Sequence, residues 1–190
     1  MMFLEHNLTI EELIKGCVAG QRKAQESLYK LFAAKMLGVC MRYATDKMEA
    51  EDMLQNGFIK VFQKIADYRG DGSFEGWIRR IMVHSSIEYY RKHHKMMQVV
   101  DIDTTGAEQG VDPLAASNLG VKELLALIQQ LPPGYRMVFN LYAIEGYSHK
   151  EIGEMMTITE GASKSQLSRA RGILKEQIIK LEGKRYENAG

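Results

Sequence analysis

Residues 145–175 constrain the fold most, because they have the pattern of two short helices joined by a tight turn. Ser148 followed three residues later by Glu151 is typical of a capping box, which marks a helix start. Residues 157–159 then interrupt the helical spacing, and Thr159 is a residue type that caps a following helix. The pattern predicts a helix-turn-helix whose second helix turns an apolar side toward a core.

The second of these helices is cationic. Lys164, Arg169, Arg171 and Lys175 are basic, and no acidic residue lies between Gly161 and Lys175. A helix with this charge repels itself unless an anion faces it, and DNA phosphate is such an anion. A solvated surface helix is the plain alternative, but the helix-turn-helix spacing favours DNA binding.

Helical spacing continues through most of the chain. Thr9, Asp46 and Ser73 each precede a segment in which apolar residues recur with helical periodicity. No segment alternates apolar and polar residues as a half-buried strand does. We therefore predict an all-α fold with two small helical domains, at residues 1–97 and 119–190, joined by a flexible acidic linker at residues 98–118.

The linker differs from its flanks in charge. Its only charged residues are Asp101, Asp103, Glu108 and Asp112, so the two domains share all 25 Lys and Arg. It lacks hydrophobic periodicity, as flexible linkers do.

A second nucleic-acid pattern lies in the first domain. A glycine-rich loop at residues 69–73 leads into a segment in which aromatic residues alternate with Arg and Lys. This mixture is typical of proteins that bind single-stranded nucleic acid, and a loop with two glycines can wrap an extruded base. For Phe74, Trp77 and Ile81, the helical spacing favours a place in the core over a place in the site.

The sequence contains no pattern typical of an enzyme or a metal centre. Cys17 and Cys40 lack a partner at metal-ligand spacing, and we expect them to be buried free thiols. His93 and His94 are adjacent, so their side chains point apart on a helix. We expect no enzymatic activity, no metal and no cofactor. The absence of a signal peptide and of a long apolar run leads us to expect a cytoplasmic protein.

Together these motifs resemble the bacterial extracytoplasmic-function sigma factors, a subfamily of the sigma-70 family, over residues 9–181. Residues 46–62 resemble the part of region 2 that docks on the clamp helices of core RNA polymerase. Residues 74–92 are similar to the part of region 2 that melts and reads the −10 promoter element. Residues 131–171 resemble region 4, which reads the −35 element as duplex.

The resemblance implies three sets of site residues. Those for core polymerase are Asp46, Glu49, Glu51, Asp52, Gln55 and Phe58. Those for the −10 element are Arg69, Gly70, Asp71, Ser73, Arg80, His84, Glu88, Arg91 and Lys92. Those for the −35 element are Lys164, Ser165, Gln166, Ser168, Arg169 and Arg171.

The same resemblance implies partners. They are core RNA polymerase, through the clamp helices of its beta-prime subunit and its flap, and promoter DNA, both duplex and melted. An anti-sigma factor, often a membrane-anchored one, is a further expected partner.

The chain departs from the family pattern at positions that read DNA. His84 and Glu88 stand where the family usually has Asn and Asp, and Gln166 ends a segment that usually carries Thr-Val-Lys-Ser-Arg. Gln166 keeps a bidentate option to adenine but loses a charge. Two other readings stay open at this point, a conventional helix-turn-helix transcriptional regulator and, with less support, a nucleic-acid enzyme.

Overall fold

The computed structural model describes residues 9–93 and 120–188, and side chains only as far as residue 183. Every regular element within these ranges is helical, which confirms the all-α prediction. The predicted linker, residues 98–118, lies outside these ranges. In chain order the elements are α1 (Ile10–Val18), α2 (Arg22–Tyr43), α3 (Lys47–Lys64), a 3-10 turn (Ile65–Asp67), α4 (Phe74–His93), α5 (Val121–Gln129), α6 (Pro133–Phe139), a π-helical turn (Asn140–Ile144), α7 (His149–Met156) and α8 (Glu160–Asn188).

The chain forms two compact units whose boundaries cut through helices. The first comprises residues 1–40 and 48–86, and the second comprises residues 41–47 and 87–190. The last turn of α2 and the end of α4 therefore belong to the second unit. None of the helices within the described residues is both long enough and apolar enough to cross a membrane.

Helix α1 starts at a capping box. The Thr9 side chain accepts a hydrogen bond from the Glu12 amide at 3.2 Å, and the Glu12 carboxylate accepts from the Thr9 amide at 2.8 Å. Cys17 and Cys40 are buried free thiols, as predicted, and burial raises the pKa of Cys17. Helices α3 and α4 pack closely at Gly57, where an added Cβ would overlap the Met82 sulfur unless that flexible side chain moved.

The second unit packs α6 and α7 against α8. Its core is formed by apolar side chains that recur at helical spacing, among them Met137, Val138, Leu141, Ile152, Leu167 and Leu174. The core also contains Arg136 and Asn140, which are almost fully buried although both are polar. Buried polar groups need hydrogen bonds, so their partners matter.

Two of those partners, Arg42 and Thr45, lie at or just after the end of α2. Arg136 donates to the Gln129 carbonyl at 2.6 Å and to the Thr45 hydroxyl at 3.0 Å. Asn140 donates to the carbonyls of Arg42 and Arg136, each at 2.8 Å. Because the last carbonyls of a helix have no partner within it, Asn140 satisfies one of the carbonyls that α2 leaves open.

One feature of the second unit was not evident from the sequence. Residues 140–144 form a π-helical turn, closed by a 3.0 Å hydrogen bond from the Glu145 amide to the Asn140 carbonyl. Helical periodicity carries no signal for one extra residue in a turn. The last helix, α8, continues to Asn188.

Candidate nucleic-acid interface

The predicted helix-turn-helix is present. Each of its two helices is capped at its start by residues within one turn of that start. The Ser148 hydroxyl accepts from the Glu151 amide at 3.3 Å, and the Glu151 carboxylate accepts from the Ser148 amide at 2.8 Å. Hydrogen bonds from Ser148 lower the pKa of Glu151. The Thr159 hydroxyl accepts from the Ala162 amide at 3.0 Å and so caps α8, as predicted.

The turn between α7 and α8 is tight because of an uncommon backbone conformation and a backbone hydrogen bond that closes the turn. Thr157 ends α7 in the left-handed region, with φ 59°. The Ile158 amide then donates to the Gly153 carbonyl at 3.0 Å. A Cβ at Gly153 would lie 2.9 Å from the Ile158 carbonyl oxygen, so the turn can come this close only to a glycine. Gly153 was not among the residues predicted from the sequence, although a glycine inside a short helix is a signal of close approach.

The predicted −35 residues differ in exposure. Lys164 and Ser168 are exposed, whereas Ser165, Arg169 and Arg171 are half-buried. Lys164 pairs with Glu160 at 2.7 Å, one helical turn away, and both side chains are more than half exposed. Surface pairs of this kind contribute little, so Lys164 is available to a phosphate at small cost. Arg169 donates to the Tyr135 hydroxyl at 3.2 Å.

Gln166 differs most from the predicted arrangement, in which it faces DNA. Its side chain is only 5% exposed. A Cβ at Gly134 would lie 3.2 Å from the Gln166 Oε1 and 3.2 Å from the Tyr90 hydroxyl oxygen, so the start of α6 approaches the amide closely. This Oε1 is buried and accepts no hydrogen bond from the described residues. Base readout by Gln166 stays a prediction, and it requires a conformation in which the amide is uncovered.

A cluster that the sequence analysis missed joins α7 and α8. The His149 ring stacks on Tyr142 at 4.5 Å, its Nδ1 lies 2.9 Å from the Ser163 hydroxyl, and the Arg171 guanidinium lies 5.8 Å from the Tyr142 ring centroid. Burial, together with the Lys164 and Arg171 charges, lowers the pKa of His149, while Glu160 acts in the opposite direction. Because the contact involves residues from a turn and two helices, no short-range spacing in the sequence predicts it.

The glycine-rich loop of the first unit is open. Residues 69–73, hereafter the 69–73 loop, are all exposed. Gly70 and Gly72 have φ values of 81° and 97°, and a Cβ on either would meet nothing within 4 Å. The backbone conformation, rather than space, therefore requires glycine there. The Ser73 hydroxyl accepts from the Gly76 amide at 3.1 Å and starts α4, as predicted.

The other predicted −10 residues lie along α4. Arg80, His84, Glu88 and Arg91 are three or four residues apart and therefore share one side of the helix, and all are exposed. Lys92 is exposed beside them. Phe74 is buried, whereas Trp77 and Ile81 are half-buried, so the core placement predicted for these three holds fully only for Phe74.

The predicted polymerase-binding residues lie on and just before α3. Asp46, Glu51, Asp52 and Gln55 are exposed, and Glu49 is half-buried. Phe58 is 3% exposed and packs at 4.7 Å against the Tyr29 ring. Its predicted role as a direct contact does not fit this position, because the ring belongs to the core of the first unit.

Two exposed apolar residues on α3 were missed by the sequence analysis. Met48 and Ile59 are 73% and 54% exposed, and helical spacing puts them on the side of Asp52 and Gln55. Large apolar side chains that flank polar ones on an exposed face are typical of a protein interface. The described residues contain no group of three or more His, Cys, Asp or Glu that could hold a metal ion.

Comparison with known families matches both halves of the chain. The family model for sigma-70 region 2 matches residues 28–96, and that for sigma-70 region 4 matches residues 122–174. The chain belongs to the extracytoplasmic-function subfamily of the sigma-70 family. The resemblance inferred from the sequence is thus confirmed.

Two relatives by sequence agree with this assignment, and one similar solved structure is given with them. The chain is 27% identical over 179 residues to the RNA polymerase sigma-H factor of Pseudomonas aeruginosa, covering 88% of this chain and 93% of the relative. It is 30% identical to the ECF RNA polymerase sigma factor SigE of Mycolicibacterium smegmatis, covering 86% of this chain and 65% of the relative. Among solved structures it is similar to the sigma factor RpoE in complex with the anti-sigma factor NepR from Bartonella quintana, at 19% identity and a TM-score of 0.48, covering 82% of this chain and 96% of that chain.

Proposed function

We propose that this chain binds core RNA polymerase and directs transcription initiation at promoters with its own −10 and −35 elements. The observation that carries the proposal is the presence of sigma-70 region 2 and region 4 in one chain, in that order. Sigma factors are initiation factors rather than enzymes, so the polymerase performs the chemistry.

The exposed side of α3 suits the contact with polymerase. Asp52 and Gln55 supply charge and hydrogen bonds, and Met48 and Ile59 supply apolar area next to them. An interface with an apolar part and polar neighbours gains both affinity and specificity. We assign this side to the clamp helices of the beta-prime subunit, with Asp46, Glu49 and Glu51 at its start.

The 69–73 loop and the exposed row on α4 suit the melted −10 element. The loop is open enough to receive an extruded base, and Arg80, Arg91 and Lys92 offer charges to the strand backbone. His84 and Glu88 lie in the same row and are our candidates for contacts to bases. We assign these two tasks to residues 1–97.

The start of α8 suits the duplex −35 element. The second helix of a helix-turn-helix lies in the major groove, where its first turns contact base edges and phosphates. Lys164 and Ser168 are exposed at this end, and Ser165, Arg169 and Arg171 are accessible in part. We assign residues 119–190 to this task and to the flap of the polymerase, with residues 98–118 as an acidic linker that suits a basic channel.

Two further expectations follow from the subfamily. We propose that the chain works in the cytoplasm, where the polymerase is, and that an anti-sigma factor, often a membrane-anchored one, controls it. Co-purification with the tagged chain tests the second expectation. A partner that competes with core polymerase for the chain is the expected result.

Run-off transcription tests the proposed function. Core polymerase alone and core polymerase with this chain are given the same library of promoter fragments. We expect discrete new transcripts only with the chain, from fragments that share two upstream elements. If the chain adds no transcript but binds a duplex operator by itself, it is a conventional helix-turn-helix regulator.

A further inference from the structure

The 69–73 loop raises a physical question, because nothing in its own composition holds it in one shape. Gly70 and Gly72 are both in the left-handed region, where glycine is the permissive residue and also the one with most conformational freedom to lose. Every residue of the loop is exposed. A loop that must receive an extruded base binds better if its shape exists beforehand, because ordering it on binding costs affinity.

One side chain from outside the loop closes it. The Tyr68 hydroxyl donates a hydrogen bond of 2.8 Å to the Gly72 carbonyl. This bond joins the residue before the loop to its fourth residue. On the far side, the Ser73 hydroxyl holds the Gly76 amide and fixes the start of α4. Both ends of the loop are therefore tied, and the Tyr68 bond crosses it.

The Tyr68 ring is itself held by aromatic packing. Its centroid lies 4.9 Å from the Phe74 ring in an edge arrangement and 5.6 Å from the Trp77 ring, and these two rings stack on each other at 5.5 Å. Phe74 is only 5% exposed, so the cluster is anchored in the core of the first unit. The hydroxyl is thus presented to the loop from a rigid base, as a positioning group must be.

We propose that Tyr68 is a positioning residue for −10 capture, and that its hydroxyl bond to Gly72 preforms the 69–73 loop for an extruded base. The inference rests on the proposed function of this loop and adds the residue that sets its shape. An exposed hydrogen bond contributes modestly, so removing it should change loop opening and base capture by about two- to tenfold.

Tyr68→Phe removes the hydrogen bond and keeps the ring with its packing. Tyr29→Phe is the matched control, because it removes an exposed tyrosine hydroxyl on α2 of the same unit. The first measurement uses the free full-length chain. Trypsin cleavage after Arg69 should be about two- to tenfold faster in Tyr68→Phe than in wild type or the control, with the thermal midpoint unchanged.

The second measurement uses holoenzyme on a promoter selected with wild type, as intact duplex and with the −10 region already unpaired. Tyr68→Phe should bind the unpaired template about two- to tenfold more weakly and should retain its affinity for core polymerase. Gly72→Ala should weaken binding of the unpaired template further, because alanine is strained at the φ of 97° that Gly72 adopts.

Equal cleavage rates, or faster cleavage with unchanged binding of unpaired DNA, would overturn the positioning role while the proposed function stands. If wild-type holoenzyme itself gains nothing from unpaired DNA, the assignment of the loop fails and the Tyr68 proposal fails with it.

Discussion

The two surfaces that we assign to DNA are presented differently. In the first unit, every residue of the 69–73 loop is exposed. In the second unit, the start of α8 exposes Lys164 and Ser168. On the same helix Gln166 is only 5% exposed, and Ser163 is fully buried. The loop is therefore accessible as it stands, whereas α8 exposes the side chains that we assign to phosphate and covers the amide that we assign to base readout.

This difference in exposure separates two tasks on α8, electrostatic attraction to DNA phosphate and readout of the base sequence. Phosphate contacts carry no sequence information, so an exposed Lys164 alone would give nonspecific binding. The buried Gln166 Oε1 lacks a hydrogen-bond partner among the described residues, and such a group costs about 1–3 kcal/mol. An adenine edge offers the donor that this oxygen lacks. On the correct sequence, the hydrogen bond from adenine to Gln166 would therefore offset part of the free energy needed to uncover this side chain.

The largest expected effect concerns the polymerase contact on which both surfaces depend. Asp52→Arg combined with Gln55→Ala reverses a charge on the exposed side of α3 and should weaken binding to core polymerase by about 2–4 kcal/mol. Affinity for labelled core polymerase measures this. Glu26→Arg, which reverses an exposed carboxylate on α2, serves as the control. Unchanged affinity in the double variant would show that this side of α3 is not the contact.

The next effect sharpens the comparison at the turn between α7 and α8. Gly153→Ala puts a Cβ 2.9 Å from the Ile158 carbonyl oxygen, and because that atom is backbone, the turn must shift. We expect a loss of about 1–3 kcal/mol in the free energy of unfolding. Gly172→Ala on α8 meets nothing within 4 Å and should instead stabilise by about 0.5–1 kcal/mol. Denaturant titration of the full chain compares them, and equal effects would contradict the close approach.

Readout and attraction should separate in a third experiment. Gln166→Ala in holoenzyme should cost about 1–3 kcal/mol on the preferred −35 element and little on scrambled DNA. Lys164→Ala should weaken both DNAs alike and lower the salt slope by about one unit. Salt titrations on the two DNAs provide both numbers. Equal losses for Gln166→Ala on both would leave that residue a buried packing group.

The smallest effect is a pH dependence at the helix-turn-helix. The folded chain lowers the pKa of His149, mainly by burial, with Lys164 and Arg171 adding to this and Glu160 opposing it. The unfolded state then binds more protons, so the stability that neutral His149 provides is present above its ordinary pKa of about 6.5 and lost as pH falls through the lowered value. Unfolding midpoints measured against pH should show this loss in wild type. His149→Gln should reduce it, and an unchanged profile would exclude His149 as its source.

The sequence predicted what short-range chemistry determines. The capping box of Ser148 and Glu151, the cap at Thr159 and the start of α4 after Ser73 each depend on residues within one turn, and all are present. The all-α class followed from periodicity in the same way.

Features that depend on distant contacts were not predictable in this way. The π-helical turn at Asn140, the stack of Tyr142 on His149 and the burial of Gln166 arise where separate helices meet. Phe58 shows the same limit, because a motif match assigns a residue to a helix but not to a side of it. The role of each predicted site residue stays a prediction for the same reason.

The most direct test of the central claim is a DNA footprint with and without core polymerase. We expect the full chain with core polymerase to protect two upstream elements and to make bases near the downstream one reactive to a probe of unpaired DNA. The chain alone should leave the fragment unprotected at the same concentration and salt. Specific protection by the chain alone, with no unpaired bases when polymerase is added, would contradict the account.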